Sequence, residues 1–308
     1  MSGPAGVRLR LPATSANLGS GFDTAAVALS IALEVEAAAS ADFSIAASGR
    51  DAIRCARLED NLILESYKRT LRANDRPLVP LALRMVNEIP LGMGCGSSAS
   101  AIVAAVALAA HFGELHWSPV QILEEACALE GHPDNAAACW LGGFVAAAIE
   151  GRKVHAARVT PPLAWQAIVV LPQSPLATSE ARALLPGSYA RSDTIANIQA
   201  ASLLGLAFAQ SRGDLLRVAM KDCVHQPYRA SICPLLPPLL PLAGSQGILG
   251  VALSGSGPAV LVVVEDEACL QHASSRIRDA VSSFAEPELL VCRFQNTGAH
   301  ESLAVRTA

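Results

Sequence analysis

The stretch Pro90-Leu91-Gly92-Met93-Gly94-Cys95-Gly96-Ser97-Ser98-Ala99-Ser100-Ala101 decides how the middle of this chain folds. Its three glycines occupy every second position, where they permit sharp turns and a close approach of the backbone to a ligand. Residues 99–110 continue as an apolar segment that predicts a buried helix. A glycine loop before a helix N-terminus presents free N–H groups and the positive end of the helix dipole. The stretch therefore predicts a phosphate-binding loop, with Ser98 as the helix N-cap and a serine hydroxyl available to Mg²⁺.

Two common phosphate-binding patterns do not fit this spacing. A Walker loop has a lysine directly after its last glycine, whereas the lysines of this chain are Lys68, Lys153 and Lys221. The dinucleotide fingerprint is G-x-G-x-x-G, and here the third glycine comes one residue too early. The alternative that involves no ligand is a glycine-rich turn that caps a buried helix.

The composition predicts a chain with a large core. Of its 308 residues, 52% are hydrophobic and 16% are charged, and the formal net charge is −4. This length favours two domains, and the lack of a basic surplus argues against nucleic acid as a partner. We therefore expect local donors and a metal ion, rather than overall charge, to hold an anionic ligand.

The cysteines and the N-terminal region favour a soluble, cytoplasmic protein that binds no membrane. Eight cysteines are scattered without a C-x-x-C pair, which predicts free buried thiols in a reducing compartment. Asp23 and the polar residues 14–20 separate the early arginines from the apolar residues 25–33, which a signal peptide does not tolerate. Prolines and glycines interrupt the uncharged region 230–264, so it cannot be one membrane-spanning helix.

Hydrophobic patterning predicts a mixed α+β fold with helices layered on mainly antiparallel sheet. The expected strands cover residues 7–11, 27–37, 43–47, 78–89, 144–149, 154–159, 165–171, 251–253, 259–264 and 288–294. The expected helices cover residues 62–73, 99–110, 119–130, 134–142, 194–210, 214–220 and 267–283. Thr160-Pro161-Pro162 is the expected boundary between an N-terminal domain, 1–160, and a C-terminal domain, 161–308.

Glu130 is an unusual residue for its predicted position. Gly131 is expected to end the helix that Ser118-Pro119 begins, which places Glu130 in the last turn. The helix dipole disfavours a carboxylate there. A bound cation would compensate for it, and a solvated surface glutamate is the alternative.

Three segments, residues 12–23, 90–101 and 253–259, together resemble the motifs of the GHMP kinases, a family of ATP-dependent small-molecule kinases. They occur in the family's order and at about its separations, and the resemblance extends over nearly the whole chain. Within the family, residues 12–23, 130–135, 178–182 and 225–229 are most similar to the homoserine kinase branch. The resemblance implies an N-terminal domain of the ribosomal protein S5 domain 2-like type, a ferredoxin-like C-terminal domain, and phosphorylation of the L-homoserine hydroxyl by MgATP.

The resemblance also implies where the nucleotide binds. The phosphates would lie over residues 90–101, the adenine near Asn61, and the Mg²⁺ ion on Ser98 and Glu130, which would explain the unusual carboxylate. The loop Ser254-Gly255-Ser256-Gly257 would support the phosphate loop, although a plain hairpin turn explains it equally well. Relatives suggest a homodimer.

Two arginines are candidates for the acceptor's carboxylate. Guanidinium groups bind carboxylates through paired hydrogen bonds and stay charged. Arg182 and Arg229 are expected in polar loops of the C-terminal domain, and both match the motifs of the homoserine kinase branch. Each arginine taken alone is also explained as an ordinary surface residue.

The remaining acceptor groups are expected from the first loop and the turn after Glu130. Asp23, with Asn17 beside it, is the candidate for the acceptor's ammonium group. Asn135 could hold the reacting hydroxyl, with His132 and Asp134 lining the same turn.

Two alternatives to this interpretation stay open. The first is a kinase of the same family with another acceptor, but mevalonate-type relatives carry a lysine where this chain has Ala13-Thr14-Ser15. The second is a non-catalytic member that only binds a ligand, and the retained metal pair of Ser98 and Glu130 argues against it. Ala25-Ala26 and Cys95 depart from the usual family residues, which leaves substrate detail and nucleotide preference open.

Overall fold

Two β-sheets, one from each half of the chain, form the framework of the computed structural model, which describes residues 6–304. The first sheet contains β1 (Val7–Asn17), β2 (Gly21–Ala39), β3 (Ser44–Gly49), β4 (Leu81–Asn87), β5 (Phe144–Glu150) and β6 (Lys153–Val159). Its order is β3-β4-β2-β5-β6, with β1 paired along β2. Only β3 and β4 run parallel among its pairs within the described residues.

Five helices from the first half of the described chain accompany the first sheet. They are α1 (Ala52–Cys55), α2 (Leu62–Ala73), α3 (Ser97–Phe112), α4 (Pro119–Glu130) and α5 (Asp134–Leu141). Helix α3 is alanine-rich and apolar on all sides, so it forms the centre of the core and is buried along most of its length. This burial fixes the direction in which the glycine loop before it faces.

The second sheet has the topology of a ferredoxin-like fold. It contains β7 (Gln166–Leu171), β8 (Ile248–Leu253), β9 (Val260–Val264) and β10 (Glu288–Arg293) in the antiparallel order β10-β7-β9-β8. Its helices are α6 (Thr178–Ala183), α7 (Arg191–Ala209), α8 (Gly213–Ala219), α9 (Gln226–Arg229), α10 (Leu236–Leu239) and α11 (Leu270–Ala280), and a 3₁₀ turn covers Leu240–Leu242. The predicted α+β class is confirmed.

The end of the described chain returns to the first sheet. The backbone N–H of Gln295 donates to the carbonyl of Ala28 (2.9 Å), and that of Gly143 donates to the carbonyl of Gln295 (2.8 Å). Helix α12 (Ala299–Ala304) then packs against β1 and α5. The two halves are therefore joined by more than the connection after β6. None of the helices within residues 6–304 combines the length and apolar character that crossing a membrane requires.

The polar and glycine residues of the segment 12–23 predict a loop, and the structure corrects this prediction. Most of this segment belongs to β1 and β2, and only residues 18–20 lie between the two strands. Most of its polar side chains are buried and bonded to distant segments: Thr14 donates to Asn135 Oδ1 (2.6 Å), and Ser15 Oγ lies 2.8 Å from Ser254 Oγ. Their polarity reflects these contacts rather than exposure to solvent.

Several predicted helix ends were wrong. Gly96, not Ser98, is the N-cap of α3, and Ser98 lies inside the first turn. Pro133 precedes α5 as its cap, and Asp134 is the first helical residue. Arg182 and Arg229 belong to the short helices α6 and α9 instead of loops. Local sequence patterns do not report contacts with distant segments, such as the bonds of Arg182 to Asp23 and of the Thr14 backbone N–H to the carbonyl of Cys95.

Candidate active site

Three segments that lie far apart in the sequence are hydrogen-bonded to one another at a cleft lined by both halves of the chain. The hydroxyl of the fully buried Ser254 lies 2.8 Å from both Ser15 Oγ and the carbonyl oxygen of Gly94. The backbone N–H of Gly255 donates to Ala16 O (3.0 Å). These contacts tie the loop between β8 and β9 to the first hairpin and to the glycine loop.

The glycine loop has a backbone that only glycine adopts readily. The φ angles of Gly92, Gly94 and Gly96 are +72°, +79° and +70°. A Cβ atom at Gly94 would collide with the carbonyl of Ser254, and one at Gly96 would collide with the Thr14 hydroxyl. No side chain caps α3, so the N-terminal N–H groups of this helix are available to an anion.

Not all of the predicted phosphate segment faces the cleft. Gly92, Gly94, Gly96, Ser97 and Ser98 line it. The other members of the segment turn elsewhere: Leu91 lines the adjoining pocket, whereas Pro90, Met93, Cys95, Ala99 and Ser100 line neither space. Residues that line the cleft alternate with residues that face away from it because the backbone turns at each glycine.

Ser98 and Glu130 meet at the edge of this loop. The Ser98 hydroxyl donates to Glu130 Oε2 at 3.0 Å. Glu130 ends α4, where Gly131 takes a left-handed conformation (φ +88°) and the last turn contains no basic residue. Burial raises the pKa of the Glu130 carboxyl, against the opposing effects of His132 and the Ser98 hydrogen bond.

This oxygen pair fits a magnesium ion. Octahedral Mg²⁺ holds its ligand oxygens at 2.0–2.1 Å, which sets neighbouring ligand oxygens about 2.9 Å apart. The separation of the Ser98 and Glu130 oxygens is 3.0 Å. A hard carboxylate and a hydroxyl are also the donor types that this ion prefers.

Two arginines and one aspartate also line the cleft. Arg182 donates to both carboxylate oxygens of Asp23, at 2.7 and 3.0 Å. Arg229 is almost fully buried, and its guanidinium carbon lies 5.4 Å from the centre of the Phe22 ring, which also faces Arg182 at 5.7 Å. Burial lowers the pKa of Arg229, and the charge of Arg182 lowers it further. The hydrogen bond with Asp23 raises the pKa of Arg182.

The turn after Glu130 adds polar groups beside Asp23: one side-chain atom each of Asp23, His132 and Asp134 lie within 4.8 Å of one another. His132 Nδ1 lies 2.5 Å from Oδ1 of the buried Asp134. Burial lowers the pKa of His132, but the hydrogen bond and charge of Asp134 raise it, and the net shift is upward. Asn135 Oδ1 accepts the hydrogen bond from Thr14, which fixes the amide plane.

Asn17 is a structural support for Asp23 in this cleft. Its Nδ2 donates to the carbonyl of Gly255 at 2.8 Å, and its Oδ1 accepts from the backbone N–H of Asp23 at 3.0 Å. Both ends of the amide are therefore engaged by the protein. The structure brings all seven predicted acceptor residues to one cleft: Asn17, Asp23, His132, Asp134, Asn135, Arg182 and Arg229.

A second pocket adjoins the cleft beside Gly92, Ser97 and Ser98 and is mostly apolar. Asn61 lines this pocket, but its side chain is used within the chain. Its Oδ1 accepts from the N–H groups of Ile63 and Leu64, and its Nδ2 donates to carbonyls of the segment 55–57. Apolar lining residues that sequence reasoning missed are Leu33, Cys55, Leu62, Ile63, Met85, Ile89 and Ala101.

Sequence reasoning also missed Phe22 and His225. Both lie inside segments that carry the family resemblance. The available signal was their position in the sequence, since Phe22 directly precedes Asp23 and His225 lies one helical turn before Arg229. Leu176 and Thr178 also line the cleft, together with Ser256 of the predicted supporting loop. Leu176 is apolar, and that residue type does not distinguish a site residue in sequence.

The comparisons with known proteins agree with one another. The family model for the GHMP kinases N terminal domain matches residues 61–143, and that for GHMP kinases C terminal matches residues 204–283. A homoserine kinase of Solibacter usitatus (strain Ellin6076) is 44% identical over 83% of this chain and 84% of its own length. A homoserine kinase of Deinococcus radiodurans is 38% identical over 85% of each chain. The crystal structure of homoserine kinase from Cytophaga hutchinsonii ATCC 33406 superposes with a TM-score of 0.81 at 24% identity, over 97% of this chain and 98% of that one.

Proposed function

This chain belongs to the GHMP kinase family, and on that premise we propose that it transfers the γ-phosphoryl group of ATP to the hydroxyl group of L-homoserine. The observation that carries the proposal is a set of charges that line the cleft. Two guanidinium groups and one carboxylate, from Arg182, Arg229 and Asp23, stand where a zwitterionic acceptor would lie. Relatives of 44% and 38% identity are homoserine kinases.

The nucleotide is proposed to lie across the two adjoining spaces. The apolar pocket beside α2 suits the adenine, and Asn61 supports that pocket by capping α2. The phosphates would then lie over the glycine loop, where backbone N–H groups and the α3 dipole act on them. This arrangement supplies positive potential without a lysine, which phosphoryl transfer permits because positioning and charge neutralisation dominate its catalysis.

Ser98 and Glu130 are proposed to hold Mg²⁺ beside the phosphates. When bound, this ion neutralises charge that develops on the transferring group. Glu130 contributes a carboxylate whose charged form is disfavoured by burial in the free protein. A cation there relieves that cost, which accounts for a carboxylate in the last turn of a helix.

The acceptor is proposed to bind as a zwitterion. Its carboxylate would receive hydrogen bonds from Arg182 and Arg229, and its ammonium group would donate to Asp23. The reacting hydroxyl would then point towards Asn135, between the arginines and the glycine loop. His132 lies in the same turn; burial lowers its pKa, but the hydrogen bond and charge of Asp134 raise it, and the net upward shift favours the protonated form.

Three further statements about the whole protein remain predictions. The expected domain boundary at residues 160/161 lies between β6 and β7, although residues 295–304 pack on the first sheet. The homodimer is testable by sedimentation velocity, and the cytoplasmic location by fractionation of the source cells.

An acceptor panel tests the proposed function. ATP turnover is measured in a coupled assay with L-homoserine, mevalonate, galactose, L-threonine and a diphosphocytidyl polyol. We expect the highest kcat/KM for L-homoserine. A higher kcat/KM for any other acceptor contradicts the assignment, and ATP binding without turnover on the whole panel contradicts catalysis.

A further inference from the structure

His225 is a fully buried histidine that lies behind the acceptor end of the cleft. Its ring stacks on Phe22, with centroids 5.1 Å apart and planes 23° from parallel. Its Nδ1 lies 3.0 Å from Nη1 of Arg229, and its Nε2 lies 2.9 Å from the carbonyl oxygen of Gly19. The proposed reaction assigns no role to this ring.

These two contacts determine the tautomer of His225. A guanidinium group only donates hydrogen bonds, so Nδ1 must accept from Arg229. A carbonyl oxygen only accepts, so Nε2 must carry the proton that is donated to Gly19. The ring is therefore neutral, with its proton on Nε2.

The charges around His225 agree with a neutral ring. Asp222 lies 3.5 Å from Nε2, but its carboxylate accepts hydrogen bonds from the backbone N–H groups of residues 224–226 at the start of α9. Burial lowers the pKa of His225, the charge of Arg229 lowers it further, and Asp222 and Asp23 only partly oppose them.

Arg229 needs such an acceptor to hold one orientation. Its Nε donates to the carbonyl of Ala181 at 3.2 Å, its Nη1 also lies 3.5 Å from the carbonyl oxygen of Gly255, and its guanidinium carbon lies over the Phe22 ring. The nearby Arg182 repels it, as the lowered pKa of Arg229 reflects. Among the described residues, His225 provides the one side chain that accepts a hydrogen bond from this guanidinium group.

We propose that His225 is a positioning residue for acceptor binding: as a neutral acceptor it orients the Arg229 guanidinium towards the carboxylate of the substrate. This inference rests on the proposed function, since it presupposes an acceptor that carries a carboxylate. Loss of the His225–Arg229 hydrogen bond should weaken binding of that carboxylate and leave nucleotide binding unchanged.

Two amide substitutions separate the two hydrogen bonds of the ring. In His225→Asn, the amide oxygen can occupy the place of Nδ1 and still accept from Arg229. In His225→Gln, the longer side chain places its amide nitrogen near Nε2, which keeps the bond to Gly19 and loses the bond to Arg229. Each variant therefore serves as the matched control of the other.

The expected result is a selective change in the KM for L-homoserine. We expect His225→Gln to raise it about tenfold, the effect of losing a hydrogen bond to a charged group. His225→Asn should stay within about threefold of the wild type, and the KM for ATP should not change in either variant. Equal effects of Asn and Gln, or normal values in both, overturn the proposal.

An acceptor without a carboxylate distinguishes the positioning of Arg229 from a purely structural role of His225. The kcat/KM for 3-aminopropan-1-ol should be the same in the wild type and in His225→Gln. A parallel loss for both acceptors assigns His225 to general stability and overturns the positioning role. A wild-type protein that does not phosphorylate L-homoserine at all contradicts the proposed function instead.

The tautomer is also measurable in the unmodified protein, should both variants fail to fold. Imidazole ¹⁵N chemical shifts of uniformly labelled protein should show a neutral Nε2–H ring for His225 between pH 6 and pH 8. An Nδ1–H tautomer or an imidazolium ion in that range contradicts the proposal, because neither can accept a hydrogen bond from Arg229.

Discussion

Arg182 and Asp23 form a two-point ion pair across the cleft, with nitrogen–oxygen distances of 2.7 and 3.0 Å. Sequence reasoning assigned these residues to opposite ends of the acceptor, whereas the structure pairs them with each other. Both roles are possible if the proposed acceptor is a zwitterion. Its carboxylate would pair with Arg182 and its ammonium group with Asp23, so that neither residue is left as an unpaired charge in a partly buried site.

Asp23→Asn should weaken acceptor binding. The ammonium group would lose its charged partner, which costs about 1.5–3 kcal/mol for such a hydrogen bond. We therefore expect the KM for L-homoserine to rise by roughly tenfold to 150-fold, with the KM for ATP unchanged in steady-state kinetics. Asp214→Asn is the matched control, since Asp214 forms the same two-point pair with Arg212 on the surface. A normal KM for L-homoserine in Asp23→Asn contradicts the role of this carboxylate.

Arg182→Leu and Arg229→Leu should each impair use of L-homoserine. Loss of one charge-assisted contact of about 2–3 kcal/mol predicts a roughly 30-fold to 150-fold loss in kcat/KM. The KM for ATP should be nearly unchanged in both. Because Arg229 is buried and Arg182 is half-exposed, thermal melts must accompany the kinetics of Arg229→Leu. If ATP binding falls while homoserine binding is normal, the acceptor pocket lies elsewhere.

Glu130→Ala should reduce turnover more than Ser98→Ala. The carboxylate supplies charge to the proposed metal site, and its loss should lower kcat by about a hundredfold or more, whereas water can replace a hydroxyl ligand. Mg²⁺ titrations of kcat at saturating ATP measure both effects. Glu124→Gln changes a carboxylate on the same helix and should leave kcat unchanged. Near-normal kcat of Glu130→Ala at ordinary Mg²⁺ concentrations argues against the metal role.

The Arg50–Glu288 pair, which links the end of β3 to β10, should make a small contribution to stability that depends on pH. The Arg50 hydrogen bonds lower the pKa of Glu288 from its ordinary value of 4.5. The pair therefore stabilises the folded protein above that pH, and the contribution is lost as the pH falls through the lowered value.

Glu288→Gln should accordingly reduce the free energy of unfolding by about 0.5–1 kcal/mol at pH 7, because both side chains are partly exposed. Urea unfolding at pH 7 and below pH 4.5 measures this difference, which should shrink in acid. Glu286→Gln is the control, since Glu286 is highly exposed and its distance of 4.0 Å from Arg278 is too long for a hydrogen bond. If the difference in unfolding free energy between the wild type and Glu288→Gln grows in acid, the Arg50–Glu288 pair is not its source.

Local signals in the sequence predicted some elements closely. Helix α2 covers Leu62–Ala73 as expected, and Asn61 caps it. Ser118 forms the capping box of α4, and Gly131 ends that helix. These features depend on neighbouring residues alone, so a sequence pattern contains them. The resemblance to the GHMP kinases, carried by combined motifs, supplied the fold and the family.

Other features depend on contacts between distant segments, and the sequence did not predict them. The bond between Ser15 and Ser254 joins residues 239 positions apart, and the pair of Arg182 and Asp23 joins residues 159 apart. The burial of Arg229 contradicts its usual place at a surface. No motif in the sequence indicated the short helix α1 or the apolar lining of the pocket beside α2.

The most direct test of the zwitterion-binding cleft compares two acceptors in one double variant. The ratio of kcat/KM for L-homoserine to that for 3-aminopropan-1-ol measures how much the enzyme gains from the carboxylate. We expect a ratio of roughly a hundred or more in the wild type and a ratio near one in Arg182→Leu/Arg229→Leu. A double variant that keeps the wild-type ratio, or a wild type that uses both acceptors equally well, would contradict the account.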